Sequence, residues 1–259
     1  MKNLFSSVLF VCLALFTWQC KKDEPIEPEP VPAPSTSMRV SFTNMVGTDP
    51  LVLGAPYQYV NLNGDSFLVS AYKYYITNIS FTDAQNNTWS EPESYHLVDA
   101  SNLASLTLTI NSVPAGNYTS MHFMIGVDSA RNVSGAQTGA LDPANGMFWT
   151  WNTGYIMAKV EGKSPTSGGP ANSIMFHVAG YGGPYATQRE VTLQFGSSTA
   201  QVSTTVSPVV HINSDVMEWF QAPDTIDFNL TYAVSSSGLA AWRIANNYVD
   251  MFSITGIDN

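Results

Sequence analysis

Two short stretches of the chain carry side chains able to hold a soft or borderline metal ion. In Met147-Phe148-Trp149-Thr150-Trp151 an extended backbone sends alternate side chains to opposite faces, which aligns Met147, Trp149 and Trp151 against Phe148 and Thr150. In Ser173-Ile174-Met175-Phe176-His177-Val178 the same alternation sets Met175 beside His177 and turns Ile174, Phe176 and Val178 the other way. His122 stands beside Met124 by the same rule. Thioether sulfur and imidazole nitrogen suit copper, and an indole face attracts a cation. The competing reading is structural. A Met-Phe-Trp-x-Trp run also fills the core of a β-sandwich, and a single strand histidine such as His177 serves as a hydrogen-bonded structural residue. His96, His122 and His211 are scattered, and the sequence holds no His-x-His or His-x3-His pair.

Other chemistries find less support. The chain has no Gly-x-Ser-x-Gly and no His-Glu-x-x-His, so the expectation is a binding protein and not an enzyme. Asp128, Asp142 and Glu161 read as loop caps that accept backbone hydrogen bonds. A Ca²⁺ site built from Asp oxygens and carbonyls is the alternative for them, without any Asp-x-Asp-x-Asp-Gly loop to favour it. A further reading is a surface module for glycan or protein, with Tyr57, Tyr59, Trp89, Tyr181 and Tyr185 as aromatic platforms.

The elements that must position these residues read as β. Short alternating runs recur between Gly, Pro, Asn and Asp, among them 39–43, 67–72, 74–81, 105–110, 118–125, 155–161, 173–178, 190–195 and 209–213. Leu106, Leu108 and Ile110 fall on one face with Ser105, Thr107 and Thr109 on the other, the period-two pattern of a half-buried strand. Eight or more such runs predict an all-β fold, a two-sheet antiparallel β-sandwich with Greek-key-like connections. Helical spacing is confined to 215–220 and to a C-terminal segment around 239–252. One long segment from Asp128 to Tyr155 is broken by Gly135, Gly139, Pro143 and Gly146 and ends in the aromatic cluster. Long loops in compact domains are functional or disordered, and the aromatic residues favour a structured loop.

Composition sets the setting. The chain has 10 Lys+Arg against 20 Asp+Glu, a net charge of −10 that excludes nucleic acid as a partner because phosphates need cationic neutralisation. A hydrophobic content of 44% excludes disorder. Lys2 followed by an apolar run to Trp18 is too short to span a bilayer and has the layout of a signal peptide. Cys20 stands where a bacterial lipobox places its acylated cysteine, so residues 1–19 are expected to be a lipoprotein signal peptide. Residues 20–37, with prolines at 25, 28, 30, 32 and 34, read as an extended lipid-anchored tether, and 38–259 as the folded domain. A lipid anchor holds a protein to a membrane without a transmembrane helix, here at the bacterial cell envelope as an outer-membrane lipoprotein facing periplasm or cell surface.

The blocks Ile125-Gly-Val-Asp-Ser129, Gly139-Ala-Leu-Asp-Pro143 and the core Gly146-Met-Phe-Trp-Thr-Trp-Asn-Thr-Gly-Tyr-Ile156, with Val160-Glu-Gly162 after it, stand out as a set. Together they resemble the methanobactin-associated copper-binding protein family (MbnP-like), in its Bacteroidetes-type lipoprotein branch. Phe176-His-Val-Ala-Gly180 is similar to the family's downstream histidine element, and Tyr74–Ile79, Tyr95–Asp99 and Asn247–Phe252 to its flanking patterns. The resemblance implies a periplasmic or surface copper-binding β-sandwich. It further implies that a tryptophan, Trp149 or Trp151, is oxidised to kynurenine by a dihaem peroxidase-like partner and joins His177 at the copper. Met147 and Met175 are the additional candidate ligands.

Overall fold

The computed structural model describes residues 36–149 and 154–259. Cys20, the expected signal peptide, the expected tether up to residue 35, and Trp151 lie outside the described residues, while Ser37, expected as the tether's last residue, already begins the first strand. Pro34–Asn259 forms one compact unit.

Two sheets face each other, as the alternation predicts. The smaller is built on β1 (Ser37–Val46), the longer on an 18-residue strand β2 (Ser66–Asp83). Between them run β3 (Tyr95–Asp99), β4 (Thr107–Asn111), β5 (Gly116–Ile125), β6 (Gly154–Lys163), β7 (Ser173–Ala179), β8 (Arg189–Gln194), β9 (Val209–Asp215) and β10 (Phe252–Asp258), with short two- and three-residue strands at the margins. In the smaller sheet β1 is flanked by β9 and β4, and β9 is flanked by β10. In the larger the order is β8-β5-β2-β6-β7, with β3 also bonded to β2. Most pairs are antiparallel, but β1 and β9 run parallel from Arg39↔Val209 to Met45↔Asp215.

Every second residue of the strands points into the space between the sheets. Phe67, Val69, Tyr72, Tyr74, Phe123, Val160, Ile174, Phe176, Val178, Val210 and Ile212 are all buried there. The runs 67–72 and 74–81, expected as two strands, are one. The register against β5 shifts between Thr77 and Ser80, at an irregularity around Asn78, whose φ is 55°.

The helical expectations hold only in part. Val216–Phe220 is a 3-10 turn capped by Asp215, and the C-terminal helix Leu239–Tyr248 buries Ala241, Ile244, Ala245 and Tyr248 against the end of the core. The helix does not reach Phe252. That residue begins β10, because Phe252, Ile254 and Ile257 satisfy their backbone against β9, and Phe252 packs against Phe42, Tyr74 and Phe123. Alternation over a short segment outweighs helix spacing once an unpaired sheet edge is available.

The larger sheet is unusual in being covered on its outer face as well. There the long loop folds back and makes a second, smaller cluster from Tyr75, Val127, Leu141, Met147, Trp149, Tyr155, Ile156, Met157 and Ala179.

Candidate metal centre

The loop that presents Trp149 is ordered by its own polar side chains. Asp128 caps a one-turn helix α1 (Ser129–Val133), its Oδ1 accepting from the Arg131 N–H at 2.9 Å, while its Oδ2 accepts from the Tyr95 hydroxyl at 2.6 Å. The Arg131 guanidinium lies 4.6 Å over the Tyr95 ring and pairs with Glu93. Asn132, 3% exposed, donates to the carbonyls of Val127 and Asp128 and accepts from the Tyr155 N–H at 2.9 Å, which ties the loop to β6. Further on, Asp142 caps the 3-10 turn Pro143–Asn145, and Gly146 ends it at φ 70°, a left-handed conformation that suits glycine. Hydroxyls of Tyr75 and Tyr155 donate to the carbonyls of Ala140 and Leu141.

Asp128 and Asp142 are therefore caps, as read from the sequence. Glu161 is not. It lies inside β6, where its Oε1 accepts from Lys159 Nζ at 3.0 Å and from His177 Nε2 at 2.7 Å. The alternation of 155–161 already puts Lys159 and Glu161 on one face. What the sequence lacks is the register that brings β7 alongside.

That register builds a polar row across four strands. Asp99 lies opposite Lys73, Lys73 opposite Lys159, and Lys159 opposite His177. Lys73 bonds Asp99 at 2.8 Å and donates to the Asn145 carbonyl at 3.1 Å, and Lys159 donates to the Gly146 carbonyl at 3.4 Å. Two lysines thus pin the loop just before Met147. Burial, together with the nearby Lys159 charge, pulls the His177 pKa below its ordinary value against the opposing pull of the Glu161 carboxylate. Burial raises the Glu161 pKa, but the hydrogen bonds from Lys159 and His177 and the positive charge of Lys159 outweigh it and lower the value.

The predicted ligands are distributed over this face as follows. Met147 is fully buried and Trp149 is 8% exposed, both in the outer cluster, against which half-buried Phe148 also packs through the Tyr155 ring. Trp149 borders a cavity of about 360 Å³ with Gly154, Tyr155, Ala179, Tyr181 and Ser237. His177 does not line that cavity, but Ala179 does, two positions further along the same face of β7 and about 7 Å away by strand geometry. Met175 is two positions beyond His177 in the other direction, opposite Glu161, in a separate groove beside Tyr232. The structure therefore gathers Met147 with Trp149 and Met175 with His177 and Glu161. Among the described residues no three His, Cys, Asp or Glu side chains converge on one point.

The other three histidines each pair with one carboxylate elsewhere: His96 with Glu91, His122 with Glu190 and His211 with Asp258. Of the aromatic-platform residues, Tyr59, Trp89 and Tyr181 pack in or against the two hydrophobic clusters. Tyr59 is 3% exposed, with its hydroxyl bonded to Val52 and Pro50, because its ring completes the core next to Phe67. Trp89 stacks on Phe81 at an interplanar angle of 3°, while Tyr57 and Tyr185 are exposed. No described helix is long and apolar enough to cross a membrane.

Comparison with known proteins converges on one family. No curated protein matches the chain. Among solved structures, MbnP from Methylosinus trichosporium superposes with a TM-score of 0.54 over 80% of this chain and 83% of its own, at 14% sequence identity, which establishes a shared fold. The MbnP family model matches residues 35–237, from the start of β1 through the loop, the polar row and β7. By that match over most of its length, the chain belongs to the MbnP family.

Proposed function

We propose that this chain is an exported, lipid-anchored copper-binding protein, with His177 as imidazole ligand and a tryptophan of the 147–151 stretch, Trp149 or Trp151, as the second centre of the site. The observation that carries the reading is the placement of the His177 imidazole on the same sheet face as the Trp149 cluster, two positions along β7 from the wall of the Trp149 cavity. Membership of the MbnP family supports copper as the cargo. Two thioethers stand near the two centres, Met147 on the tryptophan side and Met175 on the histidine side, and both suit copper in its lower oxidation state.

One imidazole and one shared carboxylate are too few for a tight site, which is where tryptophan oxidation enters the proposal. An indole offers only an N–H donor. Oxidation by a dihaem peroxidase-like partner, with a peroxide as the oxidant, cleaves the indole C2–C3 bond and puts one oxygen on each carbon; hydrolysis then releases C2 as formate and leaves kynurenine, whose aryl amine and ketone both have lone pairs for a metal. In this reading the protein binds and does not catalyse. Cys20 carries the lipid, and residues 20–37 hold the domain off an envelope membrane.

The test is copper uptake by the mature protein in competition with a weak chelator, for both oxidation states, beside His177→Ala, Trp149→Phe and Trp151→Phe. Uptake that falls with His177→Ala and with one of the tryptophan variants supports the reading. No uptake by the protein carrying its native modification rejects it.

A further inference from the structure

Metal-binding histidines donate their second ring N–H to a carboxylate or carbonyl, which fixes the tautomer and aims the remaining nitrogen. His177 has one half of that arrangement already built. Its Nε2 lies 2.7 Å from Glu161 Oε1, an oxygen that also accepts from the Lys159 ammonium at 3.0 Å and so faces the ring as an acceptor. Nε2 must then be the protonated nitrogen. The lone pair is left on Nδ1, which has no hydrogen-bond partner among the described residues.

The same test separates His177 from the other histidines. His122 uses both ring nitrogens, Nε2 on Glu190 and Nδ1 on Thr192 at 3.0 Å. His122 and His211 are each 39% exposed, against 15% for His177, and their acids are more than half exposed. His96 also pairs through Nε2, with Glu91, but that carboxylate is shared with the Ser94 hydroxyl and has no link to the loop. Glu161 is shared instead with Lys159, whose ammonium reaches the Gly146 carbonyl. A continuous chain of contacts therefore runs from the imidazole through Glu161 and Lys159 to the backbone three residues before Trp149.

We propose that Glu161 is the positioning residue of the copper site, holding His177 as the Nε2–H tautomer so that Nδ1 faces the metal, with Lys159 locking Glu161 to the tryptophan loop. The inference rests on the copper reading above, but its first half is a property of the metal-free protein. Loss of an outer-shell partner of this kind lowers metal affinity about 10–100-fold.

The experiment has two arms. Isotope-edited NMR of the metal-free protein, at a pH where the ring is neutral, reports the His177 tautomer, assigned by its absence in His177→Gln. The Nε2–H form is expected, and the Nδ1–H form overturns the proposal. Copper competition then compares wild type with Glu161→Gln and Glu161→Ala. A glutamine carbonyl still accepts from Nε2, so Glu161→Gln keeps the tautomer and near-native affinity, while Glu161→Ala mixes tautomers and loses about 10–100-fold. Equal affinity in wild type and Glu161→Ala overturns the positioning role. Loss in Glu161→Gln as deep as in Glu161→Ala also overturns it, since Glu161 would then be a ligand. A wild type that binds no copper at all rejects the copper reading itself, whatever the tautomer.

Discussion

Single polar side chains do much of the ordering in this protein. Asn132 is the clearest case, since its amide satisfies two carbonyls and the buried Tyr155 N–H. Asn132→Ala would leave that N–H without a partner, a loss of about 1–3 kcal/mol, read as a lower midpoint in urea with unchanged slope. Asp65 does the same at the other end of the sheet. Its carboxylate, 4% exposed, accepts from Asn61, Asn63, Thr166 and the Phe228 N–H. Burial raises the Asp65 pKa, but the four donors together outweigh it and lower the value. A lowered folded-state pKa means the stabilisation is present above the unfolded aspartate value of about 3.9 and is lost as pH falls below it. Asp65→Asn should therefore flatten the stability profile below about pH 4 while lowering stability at neutral pH. Neither role is legible in the sequence, because both depend on segments far apart in the chain. The caps at Asp128 and Asp142 were legible, because a cap needs only its own next three residues.

At the level of elements, the close approach of β6 to β2 depends on a residue with no side chain. A Cβ on Gly162 would sit 2.0 Å from the Leu68 carbonyl oxygen, inside the backbone of the neighbouring strand. Gly162→Ala should force the strands apart and give a protein that is insoluble or has a much lower Tm, where Gly47→Ala meets open space and suffers only from its positive φ. The loop has a different dependence. Lys73 and Lys159 hold its 3-10 turn by partly exposed contacts, each worth about 0–1 kcal/mol, so Lys73→Met should change Tm little. It should instead raise hydrogen exchange across 139–149, and equal exchange in variant and wild type would show that the aromatic cluster alone fixes the loop. The alternation in 173–178 correctly set Met175 and His177 on one face. It could not show that Met175 stands on the far side of His177 from the tryptophan, since that is settled by β-sheet register. The run 239–252 misled for a related reason: its last residues choose a sheet edge made by β9, which no local pattern reveals.

For the molecule as a whole, the sandwich is covered on three layers: sheet, sheet, and the loop laid over the larger sheet's outer face. The candidate site lies at the boundary of that loop, where an apolar cluster gives way to the polar row. Such a boundary suits a metal that must be desolvated on one side and reached by a partner on the other. The proposed anchor makes a prediction at this scale too. Cys20→Ala should move the protein from the membrane to the soluble envelope fraction without altering the fold or copper affinity of the domain.

Metal analysis of the protein purified from its native host, together with a His177→Ala form expressed there, bears most directly on the central claim. Copper is expected in stoichiometric amount in the first and lost in the second, with peptide mapping placing a kynurenine at Trp149 or Trp151. Wild-type protein free of copper after reloading, or a His177→Ala protein that keeps it in full, would contradict the account.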